Sequence, residues 1–238
     1  MIRRKDNAYV LHLMPYRESS AIVRLLSQES GRVSGVVRGV AGKRRQSAAS
    51  RSALQTGNLI ELEWSGNSSL KNLSGIALLR SHGVSSARDY LCLSYVNELL
   101  SLLLPEEQPE AELFACYGYV VEQLAAGGVV EPLLRRFEWQ LLERSGYGVD
   151  FTHDTAGHPV ETGDCIYTVD PTQGVRQATA GDRVRVRGGD LLALSQQDFS
   201  RPEILPLAKQ VNRLLIDHLL EGRELKSRKM YQELFGQT

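Results

Sequence analysis

The chain has 238 residues, of which 42% are hydrophobic and 24% charged, a balance that excludes a disordered or fibrous protein and leaves room for one large domain or two modest ones. Lys and Arg equal Asp and Glu at 28 each, and three widely spaced cysteines, Cys92, Cys116 and Cys165, form no C-x-x-C pair, which argues against a disulfide framework and for a reducing, cytoplasmic setting. The N-terminus enters no apolar leader segment, and the Leu-rich run near 99–104 is too short to span a bilayer, so neither export nor a membrane partner is expected.

Residues 1–80 read as five short strands, Ala8 to Leu13, Ala21 to Leu26, Val33 to Val37, Leu59 to Trp64 and Leu70 to Leu78, separated by Gly, Ser, Asn and Pro. Several alternate apolar and polar positions, as Ile60, Leu62 and Trp64 do against Leu59, Glu61 and Glu63. Five strands in so short a stretch predict a small closed barrel of the OB type, whose usual ligands are oligonucleotides. From about Ser86 the period lengthens: Tyr90 to Leu103, Leu113 to Leu124 and Pro132 to Arg144 predict three packed helices, ending at Pro105, Gly127-Gly128 and Gly146. Residues 148–187 carry turn dipeptides and short β-type runs, Ile166 to Val169 and Val184 to Val186, and predict a small β-rich insertion. Helices resume near Asp190, at Glu203 to Leu220 and at Lys226 to Phe235. The expected fold is therefore α+β, with a barrel domain at 1–80 followed by a helical domain at 81–238 that contains the insertion.

Overall neutrality conceals a division. Residues 1–80 carry 13 Lys or Arg against 5 Asp or Glu, while from 81 to 134 Arg88 alone faces eight acidic residues. Such asymmetry points to an anionic partner for the barrel. Arg38, Lys43, Arg44, Arg45 and Arg51 crowd the connector between the third and fourth strands, a flexible, small-residue stretch with almost no large apolar side chain before Leu54. Fixed cations there suit phosphates, because each neutralised phosphate releases counterions and gives affinity without sequence preference; the bland reading is a solvated basic loop. Arg17, Arg24, Arg32 and Lys71 extend the track. Tyr16 and Trp64 are candidate stacking platforms, although core or rim packing is the favoured reading for both.

Other motifs fail. Gly31, Gly35, Gly39 and Gly42 suggest a phosphate loop, but Val37 and Arg44 stand where that loop needs Gly and Ser or Thr, so the glycines are read as relieving barrel curvature. His153, Asp154, His158 and Cys165 match no zinc spacing, and no nucleophile elbow or paired acid is present, so neither a metal, a cofactor nor an enzyme is expected. In the helix beginning Glu131-Pro132, Arg135-Arg136 lie between Leu134 and Phe137; such arginines neutralise buried acids, the favoured reading, or hold the carboxylate of a docked peptide. Lys226, Arg228 and Lys229 either continue the nucleic-acid path or cap and solubilise the last helix, with the second favoured.

Tyr16-Arg17-Glu18-Ser19-Ser20, Glu29-Ser30-Gly31-Arg32-Val33, Arg38-Gly39 with Lys43-Arg44-Arg45, Leu54-Gln55, Asn97-Glu98-Leu99-Leu100, Arg135-Arg136-Phe137-Glu138, Gly146-Tyr147-Gly148 and Leu225-Lys226-Ser227-Arg228 together resemble the RecO family of bacterial recombination mediators. The resemblance implies an N-terminal OB-fold and a helical domain, binding to single- and double-stranded DNA, annealing of complementary strands, and cooperation with RecR in loading RecA onto strands coated by single-stranded-DNA-binding protein (SSB). It also implies that the acidic SSB tail docks on the helical domain at Arg135, with Arg136, Leu134 and Phe137 around it. Some members hold zinc through four cysteines that this chain lacks, so the metal is not carried over. The alternative is an RNA-binding OB module on a helical scaffold, which barrel and charge do not separate from a DNA-binding one.

Overall fold

The computed structural model describes residues 3–40 and 45–236, with the side chains of residues 45–47 also outside it. Five strands, β1 (Arg4–Tyr16), β2 (Ser20–Ser27), β3 (Gly31–Arg38), β4 (Leu59–Ser65) and β5 (Leu70–Arg80), close into a barrel in the order β1-β2-β3-β5-β4. Every pair is antiparallel except β3 with β5, which run parallel over Ser34–Val37 and Leu70–Leu73. This is the strand order of an OB-fold. Alternation places Ala8, Val10, Val23, Leu25, Ile60 and Leu62 in a fully buried core. Closure needs Gly35: a Cβ there would lie 2.5 Å from the Leu73 side chain across the parallel seam.

The connector between β3 and β4 departs from the expected flexible loop, because residues Arg45–Ala53 form a helix, α1. Periodicity could not reveal it, since it presents no repeating large apolar residue. Ala48, Ala49 and Ala53 favour a helix intrinsically, and tertiary contacts fix it: the Asn58 amide donates to the carbonyls of Ser52 and Ala53 at 3.0 and 3.2 Å, while Ala53 and Leu54 fill the barrel end.

The three helices expected next form at α2 (Ala87–Leu103), α3 (Ala111–Ala125) and α4 (Val130–Arg144). Ser86 caps α2, its hydroxyl accepting from the Asp89 N–H at 3.0 Å. Buried Asn97 ties α2 to the barrel by donating to the Leu11 carbonyl at 3.0 Å, and accepts from the Tyr117 hydroxyl of α3 at 2.7 Å. Burial pushes the Tyr117 phenol up, so it stays a donor.

The insertion contains a three-stranded sheet, β7-β6-β8, made of β6 (Ile166–Asp170), β7 (Gly174–Gln177) and β8 (Val186–Arg187), and it is followed by α5 (Gly188–Ser195), α6 (Leu205–Leu219) and α7 (Lys226–Phe235). The chain forms two compact units. One holds the residues up to Gly128 together with those from Leu225 on, and the other is Val129–Glu224. Within the first, α7 packs on α2, where the Glu98 carboxylate accepts from the Lys226 and Ser227 N–H groups at 2.9 and 3.0 Å and so caps the helix. Among the described residues no helix is long and apolar enough to cross a membrane.

Candidate nucleic-acid interface

Strands β1, β2 and β3 turn alternate residues outward. In register across them stand His12, Arg24 and Ser34, then Tyr16, Ser20 and Arg38. Arg24 is half-buried and Arg38 exposed, separated by one strand and roughly 13 Å along it. Arg17 occupies the turn joining β1 to β2, in left-handed backbone at φ 53°, with its guanidinium 5.1 Å from the centre of the Tyr16 ring. The same turn is fixed to the end of β3 by the Val40 N–H, which donates to the Ser19 carbonyl at 2.9 Å. Arg17 and Arg38 therefore share one end of the barrel. Burial and the Arg24 cation lower the pKa of His12, leaving that imidazole neutral at physiological pH.

Beside Arg38 opens a groove of about 1120 Å³ between the end of β3 with Gly39, α1 and residues 72–78 of β5. Its walls combine small or hydroxylated residues such as Ala49, Ser50, Ser74 and Gly75 with the aliphatic Val36, Leu73, Ile76 and Leu78. Arg51 is exposed in the last turn of α1. Lys43 and Arg44 lie outside the described residues, as does the side chain of Arg45.

Two basic positions differ from an open phosphate track. Lys71 is 6% exposed and its ammonium lies 2.5 Å from the Glu107 carboxylate. Arg32 donates from Nε to the Leu104 carbonyl at 2.7 Å and from Nη1 to Glu106 at 3.1 Å. The acidic residues just after α2 bind both, a pairing across more than thirty positions that no local spacing reveals. Trp64 is buried in the barrel core, as the favoured reading had it.

The candidate peptide contacts do not share a face. Leu134, Arg135, Arg136 and Phe137 are consecutive in α4, and successive helical residues point about 100° apart. Phe137 is fully buried, Leu134 half-buried and Arg136 exposed. Arg135, 7% exposed, places Nη2 2.8 Å from buried Glu138, and the Asn212 amide of α6 donates to Glu138 at 3.1 Å and to the Arg135 carbonyl at 3.2 Å. The Nε of Arg135 is buried without a hydrogen-bond partner. Of the adjacent pair Arg135-Arg136, therefore, only Arg136 presents its charge to solvent.

The insertion does not fit zinc. Cys92 and Cys116 belong to α2 and α3, so Cys165 is its single thiol, placed 3.5 Å from Glu161. His153 faces Asp150 at 3.0 Å and His158 faces Asp154 at 3.5 Å. Among the described residues no three His, Cys, Asp or Glu side chains are arranged to hold a metal ion.

Comparison with known proteins matches residues 1–82 to the family described as recombination protein O N terminal and residues 85–229 to recombination protein O C terminal. The chain is 38% identical over 235 residues to the DNA repair protein RecO of Vibrio cholerae, covering 98% of this chain and 94% of that one. It is 38% identical over 226 residues to the DNA repair protein RecO of Pseudomonas aeruginosa strain LESB58, covering 94% and 92%. With the DNA repair protein RecO of Azoarcus sp. strain BH72 it shares 34% identity over 235 residues, covering 97% and 96%.

Proposed function

The chain belongs to the RecO family of DNA repair proteins, and from that premise we propose that it is a non-enzymatic recombination mediator. Its barrel, residues 1–80, holds single- and double-stranded DNA, and its helical part, 81–238, holds protein partners. The observation that carries this reading is the outer barrel face, which presents Arg24 and Arg38 with Arg17 on the adjoining turn, Arg38 lining the groove flanked by α1. Cations fixed on a rigid sheet bind phosphates of any sequence and screen the repulsion between two strands, which favours annealing. Lys43, Arg44, Arg45 and Arg51 extend the same path from the connector. Lys71 reaches it only if Glu107 gives way.

In the helical part the acidic SSB tail is held through Arg136 at the surface, with Leu134 beside it. Arg135 and Phe137 act from beneath by fixing the helix, and the unsatisfied Nε of Arg135 offers a carboxylate a further donor if α4 shifts. Gripping the tail while the barrel touches DNA raises the effective concentration of the barrel on coated strands, the setting in which RecR joins to load RecA.

Fluorescence anisotropy of labelled single-stranded DNA across a salt series tests the reading. Combined Lys43→Ala, Arg44→Ala and Arg45→Ala substitution should make the salt slope shallower by about two to three phosphate contacts. Equal binding by wild type and variant would remove the connector from the path. A matched RNA strand binding more tightly than DNA would remove DNA as the ligand.

A further inference from the structure

The segment after α2 lies across the start of β3. The Glu107 N–H donates to the Arg32 carbonyl at 3.0 Å, Glu106 bridges to Arg32, and Gly31 approaches so closely that a Cβ would sit 1.9 Å from the Gln108 carbonyl oxygen. These backbone contacts and the Arg32–Glu106 pair suffice to anchor the segment. Glu107 adds something else. It adopts left-handed backbone at φ 58°, a conformation that costs a non-glycine residue, and from there its carboxylate meets Lys71.

The two partners are unequal. The Lys71 side chain is 7% exposed, while that of Glu107 is 49% exposed, so the carboxylate sits at a solvent-facing entrance and the lysine behind it. Beside them is a cavity of about 230 Å³, bounded by Arg4, Ser30, the β4–β5 turn at Gly66-Asn67, Lys71 and Glu107. Arg4 brings a second cation to this rim, and the nearby carboxylates of Glu61 and Glu63 are already engaged with Lys5 and Arg3. With one partner half exposed, the pair adds little to stability, so holding the fold together does not by itself account for it.

Building on the proposed DNA-binding role, we infer that Lys71 and Arg4 form a phosphate subsite at this end of the barrel and that the Glu107 carboxylate fills it until a DNA phosphate takes its place. The protein thus carries its own competitor. DNA that crosses this end of the barrel gains one contact when the carboxylate swings out into solvent.

The test is DNA binding by full-length Glu107→Gln, which keeps the size and backbone of the residue while removing its charge. Single-stranded DNA should bind about tenfold more tightly at low salt, with a salt slope steeper by about one. Adding Lys71→Met to that variant should abolish the gain. Glu110→Gln removes an equal charge nearby; if it raises affinity as much as Glu107→Gln, the effect is general field and the subsite is refuted. Replacing chloride by inorganic phosphate at constant ionic strength separates a free ion from DNA. Thermal stabilisation of Glu107→Gln by phosphate with no gain in DNA affinity would overturn the assignment to DNA. Absence of salt-sensitive DNA binding by wild type would overturn the proposed function itself, whereas normal wild-type binding with an unchanged Glu107→Gln would overturn only the subsite.

Discussion

On the barrel, Arg24 and Arg38 occupy outward positions of a sheet and Arg17 the turn beside them, while in the Val129–Glu224 unit Arg135 turns inward to meet Glu138, which Asn212 also holds. All four are arginines, and their setting alone decides what each can do. An outward strand position leaves the guanidinium hydrated and available to phosphate; a core-facing helix position obliges it to find an internal carboxylate, since an unpaired buried charge is very costly. Lys71 stands between these cases, buried like Arg135 but held by a carboxylate that solvent can reach.

The largest effect should come from breaking the inward pair. Glu138→Ala leaves the Arg135 charge uncompensated and should cost about 3–5 kcal/mol in urea unfolding. Asn58→Ala removes the partner of the Ser52 and Ala53 carbonyls and of the His82 N–H, and should cost about 1–3 kcal/mol; protection of α1 amides in hydrogen exchange should fall with it. Arg24→Ala with Arg38→Ala should do the opposite, changing stability by less than about 0.5 kcal/mol while reducing the salt slope of DNA binding by about two. Arg136→Ala should likewise spare stability and weaken binding of an acidic tail peptide in calorimetry, separating it from its neighbour Arg135.

A smaller effect concerns pH. Burial lowers the pKa of His82 below its ordinary 6.5, and burial with the Arg24 cation does the same for His12. The unfolded chain therefore binds more protons than the folded one as pH falls through 6.5, so stability is fully present above that value and declines below it. Thermal melts at pH 7.5 and 5.5 should show the loss, and His82→Gln should reduce it.

Much of the architecture was legible because it follows local patterns. Alternation in Leu59 to Trp64 marked a half-buried strand, the spacing from Tyr90 to Leu103 marked a helix stopped by Pro105, and the charge surplus of the first 80 residues marked the barrel as the cationic part. The helix α1 was not legible, since its hold on the barrel comes from Asn58 and Leu54 rather than from an apolar stripe. Strand β7 was missed for a similar reason: Gly174–Gln177 is too short for its alternation to register, and pairing with β6 defines it.

The sequence by itself determined the order of elements, the cationic barrel and its family likeness, because backbone propensity, periodicity and charge are properties of neighbours in the chain. Only the tertiary structure decided which cations face water. Arg32 and Lys71 met Glu106 and Glu107 across tens of residues, and Asn212 closed from α6 on Glu138, the partner of Arg135. Whether a charge serves a ligand or the fold depends on what chain closure brings beside it, and no spacing along the chain encodes that.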